Sequence, residues 1–192
     1  MLRSFFAALC VILSLGACDS GGPKFKNIDI TGADYAKGFS LTDPTGKTRT
    51  LADFRGKVVI VFFGYTHCPD VCPTTLVELK QVMQKLGPDA DKVQVLFITL
   101  DPERDTAKVL AQYVPAFDSR FLGLYGDAAT TLKTAKDFKV FFEKRAGSAP
   151  DSYTIDHSAA SFAFDPAGRL RLYVKHDQIV ALAEDVRVLL KE

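Results

Sequence analysis

The stretch from Val58 to Pro73 constrains this chain more than any other. Val58 to Phe63 is an unbroken apolar run rich in β-branched residues, the pattern of a strand buried on both faces. It leads into Gly64-Tyr65-Thr66-His67-Cys68-Pro69-Asp70-Val71-Cys72-Pro73, and then into a segment with Leu76, Leu79, Met83 and Leu86 at helical spacing. A strand buried on both faces needs cover on both sides of its sheet. The turn that leaves it carries two thiols at the mouth of a helix. Pro73 suits the first helical position, and Gly87-Pro88 stops the helix.

The rest of the chain supplies the missing layers. Phe39 to Thr42 reads as a strand entering the turn Asp43-Pro44-Thr45-Gly46. Val93 to Leu100 reads as a second buried strand. It ends in Asp101-Pro102-Glu103-Arg104-Asp105, where Asp105 or Thr106 can cap a helix running to about Val114. Phe121 to Tyr125 is a shorter strand, and Ala128 to Phe142 is helical in its first part. Glu143 to Asp156 is polar, contains Gly147 and Pro150, and reads mostly as a loop. Ser161 to Phe164 and Leu170 to Val174, joined by Asp165-Pro166-Ala167-Gly168, form a β-hairpin. Asp177 is expected to cap a last helix with Ile179, Leu182, Val186 and Leu189 or Leu190 on one side. This order predicts an α/β chain. Because Cys68 and Cys72 sit where the first buried strand turns into its helix, the expected fold is a thioredoxin-like sandwich, with a mixed central sheet flanked by helices, N-terminal additions and a C-terminal β-hairpin plus helix.

Cysteine placement divides the chain. Of four cysteines, Cys10 lies inside the apolar run from Phe5 to Leu15, Cys18 closes Leu15-Gly16-Ala17-Cys18, and Cys68 and Cys72 lie in the body. The apolar run follows Arg3 and ends in small residues, the layout of a secretory signal peptide. As a helix it reaches only about 16 Å, against a hydrocarbon core about 30 Å thick. Leu-Gly-Ala-Cys resembles a bacterial lipobox. The expected division is therefore a lipoprotein signal peptide over 1–17, a lipidated Cys18 with a flexible tether over 18–27, and one domain over 28–192. Such a protein is exported and lipid-anchored to the bacterial cell membrane. Asp19 resembles an inner-membrane retention signal of enterobacteria, which would place the domain on the periplasmic face. There, paired thiols can be oxidised.

Charge narrows the partners. With 24 basic against 23 acidic side chains and no basic run longer than Lys144-Arg145, the chain lacks the clustered positive face that nucleic-acid binding needs. A domain of this length also buries enough surface to do without a staple, and a loop as short as that between Cys68 and Cys72 constrains the unfolded chain little. Both points argue against a purely structural disulfide.

Two thiols at a helix mouth can form a disulfide or clamp one ion, and the helix N-terminus favours thiolate. A third group decides more. His157 lies in Tyr153-Thr154-Ile155-Asp156-His157-Ser158, immediately before the strand that starts near Ser161. In a thioredoxin-like fold the segment entering that strand lies beside the cysteine turn. His67 adjoins Cys68, but neighbouring side chains at the end of an extended strand point opposite ways. His176 is expected to be exposed. Two thiolates and an imidazole suit Cu(I), Cu(II) or Zn, with Cu(II) above Zn in intrinsic affinity. Structural zinc usually takes a fourth ligand, and none is evident, so copper fits better.

Three blocks, Tyr65 to Pro73, Asp101-Pro102-Glu103-Arg104-Asp105-Thr106 and Asp156-His157-Ser158, resemble those of the Sco/SenC family. These are thioredoxin-like copper proteins that serve assembly of the copper A centre of cytochrome c oxidase. The resemblance implies one copper per chain, Cu(I) or Cu(II), held by Cys68, Cys72 and His157. It also implies that Asp101 and Asp156 lie beside the ligands and that Cys68 and Cys72 can pair as a disulfide. From the residues alone, Asp101 to Asp105 is equally well a turn with a helix cap. The implied partners are the copper A subunit of the oxidase, other periplasmic copper chaperones or thiol reductants, and the membrane through a lipid anchor; the chain itself is expected to be a monomer.

Three functions compete. A metallochaperone needs all three ligands. A thiol–disulfide oxidoreductase, reducing the ligand cysteines of the oxidase subunit, needs Cys68 to attack and Cys72 to resolve, and tolerates loss of His157. A thiol peroxidase is disfavoured because no arginine is clearly placed for a peroxide pocket.

Overall fold

The strand from Val58 to Gly64 is buried at every residue, and the architecture follows from how its two faces are covered. The computed structural model describes residues 24–148 and 152–192. In chain order the strands are β1 (Ile28–Asp29), β2 (Ser40–Thr42), β3 (Thr48–Thr50), β4 (Val58–Gly64), β5 (Val93–Thr99), β6 (Leu122–Leu124), β7 (Phe142–Ala146), β8 (Tyr153–His157), β9 (Ser161–Phe164) and β10 (Leu170–Val174). The helices are α1 (Val71–Leu86), α2 (Ala107–Tyr113), α3 (Ala128–Asp137) and α4 (Leu182–Leu189).

The main sheet has the order β1-β10-β9-β4-β5-β6. β4 runs parallel to β5, in register from Val58 opposite Val93 to Gly64 opposite Thr99, and antiparallel to β9 on its other edge. The sheet is thus mixed, as expected. Side chains alternate along β4. Val58, Ile60 and Phe62 join one core with Leu76 and Leu79 of α1 and Val186 of α4, while Val59, Val61 and Phe63 join a second with Ala135 and Phe138 on the opposite face. That two-sided cover is why β4 reads as a continuous apolar run.

Several local expectations are corrected. Glu143 to Asp156 is mostly a two-stranded ribbon, not a loop. β7 pairs antiparallel with β8 from Phe142 opposite His157 to Ala146 opposite Tyr153, and residues 149–151 lie outside the described residues. The ribbon stands off the main sheet with most side chains in solvent, so only Phe142, Tyr153, Ile155 and His157 are buried to any degree, too few for a visible alternation. α1 begins at Val71, which puts Pro73 third in the helix rather than first. Asp177 does not cap the last helix. It lies in a 3₁₀ turn, His176–Ala181, whose preceding residue Lys175 makes no side-chain cap bond, and α4 follows directly.

The end of the expected tether is docked. The backbone N–H groups of Lys26 and Asn27 donate to the Asp185 carboxylate of α4 at 2.7 and 2.9 Å, and the Asn27 side-chain amide donates at 2.7 Å. The expected signal peptide, over 1–17, and the expected lipidation site at Cys18 lie outside the described residues. No helix among the described residues is long and apolar enough to cross a membrane.

Candidate metal centre

Parallel strands β4 and β5 end together, and the chemistry gathers at that end of the sheet, where ligands commonly bind in α/β folds. Cys72 is the second residue of α1 and fully buried; Cys68, in the turn before it, is partly exposed. The first turn of a helix leaves backbone N–H groups without partners. Asp70 occupies the capping position but makes no side-chain cap bond. Instead the Cys72 N–H donates to the Cys68 sulfur at 3.4 Å. The turn thus uses a thiol where a helix usually uses an oxygen.

His157 ends β8, and the hairpin brings it over the helix mouth. Its Nε2 lies 3.4 Å from the Cys72 sulfur. Its Nδ1 lies 3.1 Å from the Ser158 carbonyl; a carbonyl only accepts, so Nδ1 carries the proton and Nε2 faces the sulfurs bare. The rings of Tyr65 and Phe62 flank the imidazole, with centroids 6.0 and 6.4 Å away. Burial pushes the His157 pKa down, against the opposing pull of the Ser158 carbonyl and the Asp156 charge, which keeps the ring neutral and able to ligate.

The Cys68 and Cys72 sulfurs and the His157 nitrogen all lie within 4.8 Å of one another. Thiolate and imidazole bonds of about 2.3 and 2.0 Å to a zinc-sized ion fit that triangle after a small contraction. Two sulfurs and a nitrogen are a soft donor set suited to copper or zinc. Both cysteines are free thiols in this structure. The expected easing of both thiols toward thiolate by the helix N-terminus fails at Cys72, because burial outweighs every other influence and pushes its thiol pKa strongly upward. That sulfur ionises when a cation takes the proton's place.

The other candidates sort clearly. The His67 side chain is 54% exposed and lies near Thr66 and Asp105, outside the ligand triangle. His176 is exposed, as expected. Asp156 is exposed on the outer face of β8, where it accepts from Arg145 Nε at 2.9 Å. Asp101 is fully buried and not among the ligand atoms. It accepts from Arg104 Nε and from the Tyr153 hydroxyl, the latter at 2.7 Å. Arg104 in turn donates to the Tyr153 carbonyl at 3.0 Å and lies over the Tyr153 ring at 3.5 Å.

Asp105, which the sequence offers either as a helix cap or as part of the Asp101 block beside the site, is a tie. It accepts from the Thr66 N–H at 2.9 Å, the Thr66 hydroxyl at 2.6 Å and the Thr99 hydroxyl at 2.6 Å. The helix cap itself is Thr106, whose side chain accepts from the Val109 N–H. The segment after β5 thus does two jobs. Asp101 and Arg104 hold the histidine hairpin, and Asp105 holds the cysteine turn. Tyr65 and Tyr153, visible in the sequence only as parts of motifs, carry the contacts between these pieces: the Tyr65 hydroxyl accepts from the Ile155 N–H at 3.2 Å.

Fold and site together define a thioredoxin-like domain that presents a Cys-Cys-His metal-ligand set at the mouth of its first long helix. Comparison with known proteins makes the class specific. Residues 29–191 match the SCO1/SenC family model. The copper-bound structure of Bradyrhizobium japonicum ScoI is 40% identical and superposes with a TM-score of 0.72 over 79% of this chain and 97% of that one. The apo Sco1 solution structure from Thermus thermophilus is 38% identical with a TM-score of 0.77 over 86% and 97%. The mitochondrial SCO2 homolog of Bos taurus is 43% identical over 132 residues, and a SCO2-like protein of Rickettsia felis 30% identical over 185, covering 96% of this chain and 89% of its own. The chain spans about half the length of the mammalian relatives it matches. It belongs to the SCO1/SenC family.

Proposed function

We propose that this protein binds one copper ion, as Cu(I) or Cu(II), through Cys68, Cys72 and His157, and serves as a metallochaperone in assembly of the copper A centre of cytochrome c oxidase. The observation that carries this reading is the convergence of those three ligand atoms within 4.8 Å, in a family whose solved members include copper-bound ScoI. Bound there, copper would be cargo: the two thiolates and imidazole hold either oxidation state at low net charge, and the partly exposed Cys68 is the ligand a client can reach first. Asp101 and Asp156 position the histidine strand from its two faces. The leader and Cys18 point to a lipid anchor on the export face of the cell membrane.

Anaerobic titration of the reduced protein with Cu(II), followed through the thiolate-to-copper absorption band, tests this. A saturating one-to-one band is expected that needs Cys68, Cys72 and His157 and survives His67→Ala. A band indifferent to His157 overturns the three-ligand site.

The exposure difference between the cysteines favours a second reading, a thiol–disulfide oxidoreductase. The Cys68 thiolate attacks a partner disulfide and releases one partner thiolate. Cys72, after losing its proton to solvent, then displaces the second, leaving a Cys68–Cys72 disulfide and a partner reduced by two electrons. Rapid bleaching with disulfide formation and no stable band supports this reading instead.

A further inference from the structure

The segment leading into the domain is pinned along α4. Lys26 and Asn27 bond to Asp185, and the Lys26 ammonium lies 3.9 Å from the Glu184 carboxylate. Phe25 packs against the core, with the Arg171 guanidinium 5.5 Å from its ring centroid. Seven peptide steps join Cys18 to Phe25, a span of at most about 25 Å even when fully extended. A lipid on Cys18 therefore holds the bilayer within that reach of the α4 side of the domain.

Two surfaces lie beside the pinned segment. The β1 edge exposes Asp29 and Asp34, which an anionic bilayer repels. The other is the outer face of the layer formed by α1 and α4, which cover the same side of the sheet. The Arg187 guanidinium donates to the Lys85 carbonyl, and the Lys85 ammonium donates to the Val180 carbonyl at 3.5 Å, so the helices are tied at the end of α1 remote from the cysteines. Val77 and Lys85, two turns apart, share the exposed side of α1, opposite the buried side that carries Cys72 and Leu79. Val77 and Val180 are 44% and 42% exposed. Lys85, Arg187 and Lys191 are exposed, and none of the three has an ion-pair partner among the described residues. The acidic groups nearby are Glu184, opposite Lys26, the half-buried Glu78, and Asp89, which accepts from Lys92 at 2.9 Å.

We propose that this outer face docks on the bilayer, with Lys85, Arg187 and Lys191 against anionic phospholipid headgroups and Val77 and Val180 at headgroup level. The proposal rests on the lipid-anchor reading. It fixes how the metal centre is presented. With the outer face down, α1 lies along the bilayer, and Cys72 sits about one helix diameter, 10–12 Å, above the lipid surface. Lys85 is thirteen residues beyond Cys72, so the basic contacts fall about 20 Å from the centre along the helix. The cysteine turn and His157 then open sideways, toward a client held in the same membrane.

Lysine acetylation of the metal-free, full-length lipoprotein by a neutral reagent, read by mass spectrometry, tests this in bilayers of phosphatidylglycerol and of phosphatidylcholine. Lys26, Lys85 and Lys191 are expected to react more slowly in phosphatidylglycerol, while Lys133 and Lys136 of α3, across the sheet, react equally in both. The protection of Lys26 should disappear at high salt and in Lys85→Gln/Arg187→Gln/Lys191→Gln, whose thermal midpoint and copper band match wild type. Equal rates in both lipids, or protection of the α3 lysines instead, overturn the docking face and leave the anchor standing. An exported protein whose mass lacks the lipid sinks the anchor reading instead. Co-sedimentation of that protein with phosphatidylglycerol vesicles then decides the face. Each basic side chain adds about fivefold to partitioning onto an anionic surface, so the triple variant should bind about a hundredfold more weakly, and equal binding of the two overturns it.

Discussion

Tyr153 and Asp101 are joined by a 2.7 Å hydrogen bond in which the phenol donates to a carboxylate that has no exposure to solvent. Tyr153 and His157 are the two ends of β8, so the bond that anchors the tyrosine also fixes where the imidazole sits. Arg104 closes the arrangement by pairing with Asp101 and lying over the tyrosine ring. Burial and the Asp101 contact together push the Tyr153 hydroxyl pKa up to about 12, so it remains a donor throughout the physiological range.

Tyr153→Phe is therefore expected to loosen the hairpin without unfolding the domain. The cost to global stability is about 1 kcal/mol, since Asp101 keeps Arg104 as a partner. Copper affinity falls about tenfold, the lower end of what losing an outer-sphere contact costs a metal site. Faster amide exchange across β7 and β8, with the main sheet unchanged, is the accompanying signature. Unaltered exchange together with unaltered affinity contradicts it.

Asp105→Ala strikes the other half of the site. It leaves the Thr66 N–H, the Thr66 hydroxyl and the Thr99 hydroxyl without their common acceptor, and the first is the backbone of the cysteine turn. Stranding buried donors costs about 1–3 kcal/mol for each one fully stranded, so a loss of about 3 kcal/mol is expected in chemical denaturation. Asp105→Asn retains an acceptor oxygen and is expected to recover about half. A variant as stable as wild type removes Asp105 from the role given to it here.

Acid is expected to weaken the metal-free protein through His157. Burial holds its pKa below the ordinary 6.5. As pH falls through 6.5 the unfolded chain takes up a proton that the folded protein refuses. The stability tied to His157 is intact above that value and is lost on descent to the lowered folded pKa. Denaturation midpoints measured between about pH 7 and 5 should thus drop for wild type, and His157→Gln should flatten that drop. The same slope in wild type and His157→Gln would be the contrary result.

Elements with cover on one or two regular faces were legible in the sequence. β4 and β5 show as apolar runs, α1 by its helical spacing, and the β9–β10 hairpin by its turn. The ligand triangle was legible for the same reason: Cys68, Cys72 and His157 each abut one of these elements. The β7–β8 ribbon escaped because it borrows its stability from contacts remote in sequence. Arg104 reaches 49 residues to the Tyr153 carbonyl, and Tyr65 reaches 90 to the Ile155 amide. No local periodicity encodes such bonds. The ionisation of Cys72 was misjudged because the sequence displays a helix start but not the depth of burial behind it.

Gly64 offers the sharpest steric test of the site. It closes β4 opposite Thr99 of β5, and its carbonyl accepts from the Leu100 N–H at 2.8 Å, so the backbone there cannot retreat without breaking the sheet. A Cβ at this position would lie 2.9 Å from the Phe97 ring, 3.0 Å from the Cys72 sulfur and 3.1 Å from the Phe62 ring. Phe62 and Phe97 have no solvent exposure and sit 6.0 Å apart, centroid to centroid. The neighbour with most freedom to yield is therefore the cysteine sulfur, by rotation about its own side chain. Gly64→Ala is expected to cost about 1–3 kcal/mol, the usual range for overpacking a full core, and to displace Cys72 from the ligand triangle. Copper binding should then suffer more than stability does: the absorption band weakens or shifts in protein that still unfolds cooperatively. A normal band in a destabilised variant would mean that the phenylalanines move instead, and that Gly64 serves the core alone.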